Sequence, residues 1–216
     1  MKNFKRSAAV LGVVATASVA LAACSEGGEG GELIGEGASS QQNAMDYFGT
    51  KFSETGSSLA YNASGSGSGR QNFIGGQADF AGSDSPLKEE QVDPAKDRCG
   101  GADAWHLPFV IGPVAIGYNL DGVDNLTFET EGNDMVVDSD ALFAMDTEGA
   151  YPLVLTTYEI VCSDYSDTDK PETAETLKSF LNLALDHQDD ELADRGYIPV
   201  TGEHADRLKT AVEAIK

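Results

Sequence analysis

Cations, cysteines and long apolar runs are all scarce in this chain. Lys and Arg number 14 against 36 Asp and Glu, giving 216 residues a net charge of -22. That balance excludes nucleic acid as a partner, because phosphate backbones are held by Lys and Arg. A small anion is not excluded, since local dipoles can hold one inside a repelling field. The three histidines, His106, His187 and His204, show no ligand spacing with any cysteine, so no metal and no other cofactor is expected. Catalytic motifs are missing too. No serine of the Gly/Ser run 64–69 has glycine both two residues before and two after, so there is no nucleophile elbow. Neither a P-loop lysine motif nor G-x-G-x-x-G occurs. Asp164, Asp167 and Asp169 lack the glycine and terminal glutamate of an EF-hand. No enzymatic activity is expected.

The composition that remains, 41% hydrophobic and 8% aromatic, suits a packed core. Lys2, Lys5 and Arg6 open the chain, and residues 8–20 are an apolar run too short to span a bilayer. Leu21-Ala22-Ala23-Cys24 follows and resembles a bacterial lipobox. The expectation is a signal peptide over 1–23, cleavage before Cys24, and lipidation of its thiol. Several acyl chains on Cys24 would hold the protein on the outer face of the cell membrane. An ordinary secretory signal with an incidental cysteine is the plainer alternative. Residues 24–31 then read as the lipidated cysteine and a flexible Gly/Glu spacer, and 32–216 as the folded domain. Lipidation leaves Cys99 and Cys162 as an even pair in an oxidising compartment. A disulfide between them is expected; two buried thiols or a metal site are the alternatives, and the histidine spacing speaks against the metal.

Residues 57–86 organise the rest. Leu59, Tyr61 and Ala63 alternate with polar neighbours as a strand does. Residues 65–69 (GSGSG) permit a turn, and Arg70 to Gly75 can continue as a helix. The first-turn N–H groups, the helix dipole and the Ser66 and Ser68 hydroxyls favour an oxyanion. Asp79-Phe80-Ala81-Gly82 returns as a second strand and delivers Ser83 and Asp84 to its end, where open α/β sheets bind ligands. Upstream, Leu33-Ile34 enters a similar turn, Gly35 to Ser40. Met45, Phe48 and Phe52 then mark the buried stripe of a helix that Ser39 or Ser40 would cap. Two helix N-termini converging on one point make a stronger anion-site argument than either alone.

Further along, residues 87–101 read as a polar loop and 105–120 as buried strand. Residues 121–150 read as an acidic, irregular connection with apolar clusters at 135–137 and 141–145. Residues 153–162 (LVLTTYEIVC) form a strand. Helices follow over 171–187, with Leu177, Phe180, Leu181, Ala184 and Leu185 on one face, and over 201–215, with Leu208, Ala211, Val212 and Ile215.

The segments GEGASS, NASGSGSG, ADFAGSDSPL, LPFVIGPVAIGYNL and YPLVLTTYEIVCS resemble the PstS family, the phosphate-binding proteins of the bacterial phosphate ABC transporter. The resemblance implies an α/β, periplasmic-binding-protein-like (type II) lobe with a mixed sheet flanked by helices. Its ligand would be inorganic phosphate, its partners the membrane permease subunits, and its seat the extracellular face of the membrane. By motif it implies phosphate contacts from Ser39, which keeps the hydroxyl of the family's threonine, from Ser40, which in place of the family's phenylalanine keeps only the backbone N–H, and from Ser66 and Asp84. An ionised Asp84 only accepts hydrogen bonds, so it tolerates protonated phosphate and repels sulfate. The family's other lobe supplies an arginine and a Ser-Gly-Thr-Ser run that have no match here, so the second lobe is expected to be largely absent, with 121–150 in its place. Arg70 is read as solvent-facing, with replacement of the lost positive charge from the first turn of its helix as the alternative. Three or four hydrogen bonds to a charged ligand contribute roughly 1.5–3 kcal/mol each against an association cost on the order of 4–15 kcal/mol. A single lobe is thus expected to bind at about millimolar affinity or worse. A shortened surface lipoprotein without useful affinity is the alternative.

Overall fold

Strand β1 (Glu32–Gly37) sits inside a five-stranded sheet of order β2-β1-β3-β5-β4. A computed structural model describes residues 30–113, 129–130, 132–144 and 154–216. The expected signal peptide, Cys24, most of the spacer, residues 114–128 and residues 145–153 lie outside them.

The sheet has two halves of different grammar. In the first, β1 leads through a 3-10 turn (Ser39–Gln41) into α1 (Gln42–Ser53), and β2 (Ser58–Asn62) leads into α2 (Ser66–Ile74). Next comes β3 (Phe80–Ser83); β1 pairs in parallel with both β2 and β3. Parallel neighbours need crossovers, and the two helices supply them. In the second half, β4 (Ala104–Pro113) and β5 (Val154–Cys162) run antiparallel to one another, and β5 is antiparallel to β3. The mixed sheet expected from the sequence is therefore present.

Helix α1 buries Met45, Phe48 and Phe52, as their spacing predicts. Phe52 meets Phe180 of α5 (Thr173–Asp186) edge-on with centroids 5.4 Å apart, and Phe180 stacks at 5.8 Å on Phe80 of β3. These aromatic pairs lock helix to helix and helix to sheet. Helix α7 (Gly202–Ala214) buries Leu208, Ala211 and Val212, and Ile215 beyond its end is buried as well. Leu185 is only half-buried, at the edge of the α5 face.

Several expectations need correction. Residues 87–101 are not a loop: Glu89–Arg98 form helix α3 despite Pro94 and the high charge. The Gln91 side chain accepts the Lys88 N–H at 3.1 Å, Glu89 and Glu90 stand at the positive end of the helix dipole, and Ala95 alone is buried. So little apolar surface leaves no stripe to read. Helix α2 begins at Ser66, four residues before Arg70, and β2 ends at Asn62, short of Ala63. In the region 121–150, Met135 and Val137 are buried against the sheet and Ser139–Phe143 form a short helix, α4. A further short helix, α6 (Asp190–Asp194), precedes α7 and is capped by Asp189, which accepts the Leu192 N–H.

The open question at Cys99 and Cys162 is settled by a disulfide with Cα atoms 5.4 Å apart. It ties the C-terminus of α3 to the end of β5. Among the described residues no helix is long and apolar enough to cross a membrane.

Candidate anion-binding site

Three parallel strands release their C-terminal ends on one side of the sheet, and each release point carries a hydroxyl or a carboxylate. After β2 the chain turns at Gly65, whose φ of 98° and hydrogen bond from its N–H to Gly37 O (2.7 Å) favour glycine there. Ser66 then opens α2. The first intrahelical bond there runs from the Gly69 N–H to Gly65 O, so the N–H groups of Ser66, Gly67 and Ser68 precede any helical acceptor.

Asp84, just past β3, is the hub. Ser40 Oγ donates to its Oδ1 at 2.5 Å, Ser66 Oγ to its Oδ2 at 2.8 Å, and Thr157 Oγ1 to its Oδ1 at 3.2 Å. The Asp84 N–H in turn donates to Ser66 Oγ at 3.1 Å. Ser40 and Thr157 hydroxyls lie 3.3 Å apart. Of the residues expected at the site, Ser40, Ser66 and Asp84 are brought together. The hydroxyl expected from Ser39 comes instead from Ser40, because Ser39 is exposed at the start of the 3-10 turn and makes no hydrogen bond to Asp84. Neither serine caps by its side chain, because the Ser40 hydroxyl is turned to Asp84.

Arg70 is not solvent-facing. It is 7% exposed, and its Nη1 donates to Ser83 Oγ (2.7 Å) and Ser85 Oγ (2.8 Å). It thereby grips both neighbours of Asp84 from below and places a buried positive charge under the hub. Ser83 adds a bond from its hydroxyl to Ser85 O at 2.6 Å.

A second layer lies beneath. Gln41 Nε2 donates to Tyr61 OH at 3.0 Å, and Tyr61 OH donates to Ala38 O at 2.9 Å, where the 3-10 turn begins. Gln41 Nε2 also stands 3.4 Å from Glu159 Oε2. A Cβ on Gly82 would fall 2.1 Å from Gln41 Nε2 and 2.4 Å from Tyr61 OH, so only glycine leaves room for this contact. From the other side, Tyr197 OH donates to Ser40 O at 2.8 Å. Thr157, Gln41, Glu159 and Tyr197 were missed by the sequence reading. Alternation along β5 puts Thr157 and Glu159 on one face, but nothing local says which face meets Asp84. A cavity of about 350 Å³ adjoins the hub, lined by Ser40, Thr157, Val110, Leu155, Arg195 and Tyr197 among others.

Elsewhere, His106 accepts the Leu87 N–H at Nε2 (3.1 Å), which leaves the proton on Nδ1 for Asp134 at 2.7 Å. His187 lies against Tyr47 and Asp189. Among the described residues no group of His, Cys, Asp or Glu is placed to hold a metal ion.

Comparison with known proteins gives this geometry a context. The profile of the PBP superfamily domain matches residues 22–131. The phosphate-binding protein PstS 3 of Mycobacterium tuberculosis is 25% identical, covering 99% of this chain and 100% of the relative. That alignment runs over 372 positions against 216 residues here, so a large part of the relative has no counterpart in the chain. PstS 2 of the same organism is 39% identical over 148 residues, covering 59% of this chain and 40% of the relative. Among solved structures, a possible phosphate binding protein from Planctomyces limnophilus superposes with a TM-score of 0.57 at 12% identity, covering 87% of this chain and 99% of that one. At that identity the likeness concerns the fold alone.

Proposed function

We propose that this chain, which belongs to the PBP superfamily, is an extracytoplasmic solute-binding protein that takes inorganic phosphate for an ABC importer. One observation carries the reading: the hydroxyls of Ser40, Ser66 and Thr157 converge on the Asp84 carboxylate in front of the α2 N-terminus. Each of these hydroxyls has a single proton, now spent on Asp84. An arriving anion draws those protons to itself, together with the first-turn N–H groups of α2, and leaves Asp84 short of donors. Phosphate carries its own O–H and restores one. Sulfate carries none and leaves two acceptors facing each other. The exchange selects a protonated anion, and Arg70 beneath the hub offsets part of the added charge.

Membership of this superfamily supports binding rather than turnover. The relatives' printed names, phosphate-binding proteins, support the ligand. Permease subunits as partners and a lipid anchor at Cys24 complete the proposal. The Cys99–Cys162 disulfide is consistent with life outside the cytoplasm. Ser39 enters only through its backbone N–H. A lipoprotein without useful affinity is the less favoured reading, because the hydroxyl donors of Ser40, Ser66 and Thr157 are gathered at one carboxylate.

Calorimetric titration with phosphate and sulfate tests this. A phosphate Kd of about 1 mM, near -4 kcal/mol, is expected, with sulfate at least roughly tenfold weaker. Asp84→Asn, which can donate as well as accept, should narrow or reverse that preference. Absence of binding at about 10 mM phosphate, a concentration about ten times that Kd, overturns the assignment.

A further inference from the structure

Glu159 is the one acidic side chain of the sheet interior with no exposure at all, and Gly82 on β3 and Leu107 on β4 are its register partners. None of the ion pairs among the described residues includes it. The groups that face it are Gln41 from the 3-10 turn and Tyr61 from β2. Burial first, and then the nearby carboxyls of Glu159 and Asp84, push the Tyr61 hydroxyl up, so it keeps its proton. The cation of the region, Arg70, is committed to Ser83 and Ser85. Both Gln41 Oε1 and Glu159 Oε1 are buried and lack a hydrogen-bond partner. Two unpartnered acceptors on adjacent planar groups are costly as they stand. A proton on Glu159 Oε1 converts one of them into a donor, while Oε2 still accepts from Gln41 Nε2.

We infer that Glu159 is a neutral positioning residue of the anion site. As a carboxylic acid it holds Gln41, and through Gln41 and Tyr61 the turn that presents Ser40, and its ionisation weakens anion binding. The inference rests on the phosphate-binding reading for its functional half. Two effects act in the same direction. Loss of the proton leaves Gln41 Oε1 and Glu159 Oε1 as two buried acceptors without a donor and so loosens the hold on Gln41, whose amide also positions Tyr61 against Ala38 O; the bond from Gln41 Nε2 to Glu159 Oε2, which favours the charged form, opposes this only in part. It also adds a buried negative charge below a site that already holds the exposed Asp84. Burial pushes the Glu159 carboxyl up to about 8, so the change falls just above neutral pH. Thr157, two residues away on the same face of β5, donates to Asp84 and so joins this layer to the hub.

The test is phosphate affinity of the full chain across pH 7 to 9, beside Glu159→Gln, which stays neutral throughout. Phosphate's own titration cancels in the ratio of the two proteins. Wild type is expected to lose about tenfold relative to Glu159→Gln between pH 7 and 9. Parallel profiles overturn the inference while leaving the phosphate assignment intact. Should neither protein bind at pH 7, the phosphate assignment fails, and a ligand-free measurement decides the positioning role. The Glu159 carboxyl carbon and the Gln41 amide resonances of wild type should titrate together near pH 8. A carboxyl that titrates below about pH 6, in the ordinary glutamate range, overturns it.

Discussion

The parallel and antiparallel halves of the sheet divide the labour of the site between them. Strands β1, β2 and β3 with their turns give the groups proposed to face the ligand, Ser40, Ser66 and Asp84, all within 45 residues of chain. Strands β4 and β5 give the frame: Thr157 at the hub, Glu159 beneath it, and the disulfide at the far end of β5. A turn between a strand and its own helix is a local object, specified by glycine, serine and a few neighbours. A strand pairing across more than seventy residues, as between Ser83 and Tyr158, is specified by burial, which many sequences satisfy. Specificity can therefore sit in one half and its rigidity in the other.

The largest expected effect comes from cutting the frame. Replacing Cys99 and Cys162 by serine releases a 63-residue separation, for which chain entropy gives a loss of about 4 kcal/mol. Thermal or urea unfolding reads it directly. If the halves are separable in role, the variant that still folds at low temperature should keep its preference for phosphate over sulfate. A lost preference at unchanged fold would show that the frame also selects.

Legibility follows the same line. The turn at Gly65, the helix stripe of Met45, Phe48 and Phe52, and the serine and aspartate at the strand ends are readable because their signals lie a few residues apart, whereas Gly35 to Gly37 and Ser66 to Gly69, expected as turn, end β1 and open α2. The strand at β5 is readable from its β-branched and aromatic run, but its partners are not. Thr157 therefore passed as an ordinary strand residue, and Glu159 as a polar position on it. Helix α3 escaped because it is anchored by capping, charge and the Cys99 bridge rather than by an apolar stripe. Arg70 escaped for a different reason. In sequence it follows a flexible, polar run, yet the missing side chain at Gly69 lets α2 press on β1, where a Cβ would come 2.4 Å from Glu36 O, and Arg70 is carried under the sheet end.

Arg70 sharpens the comparison from the ligand-facing side. Its guanidinium is buried, bonded to two serines, and its Nε has no partner. Burying such a charge is costly, so stability alone gives little reason to place it there. Arg70→Met should lower phosphate affinity by about tenfold, or 1.4 kcal/mol, while the unfolding midpoint stays level or rises. Calorimetry and urea titration on the same sample separate the two. A fall in stability with unchanged affinity would make Arg70 a structural clamp and nothing more.

The smallest effect is the most discriminating, because it touches the single frame residue that reaches the hub. Thr157→Val keeps the β-branched shape that the strand requires and removes only the hydroxyl that donates to Asp84 at 3.2 Å. One hydrogen bond to a charged group contributes roughly 1.5–3 kcal/mol when well made, and at this length about 1 kcal/mol is appropriate. Phosphate affinity should therefore drop by about fivefold. Thr157→Ser, which restores the hydroxyl and loses a methyl, should recover most of it. If valine binds as well as threonine, β5 serves only to shape the site, and recognition belongs entirely to the parallel half. If serine fails to rescue, the methyl contact rather than the hydroxyl is what β5 contributes. Recovery by serine alone places one recognition donor on the antiparallel half, and makes the pairing of β3 with β5 part of how the ligand is chosen.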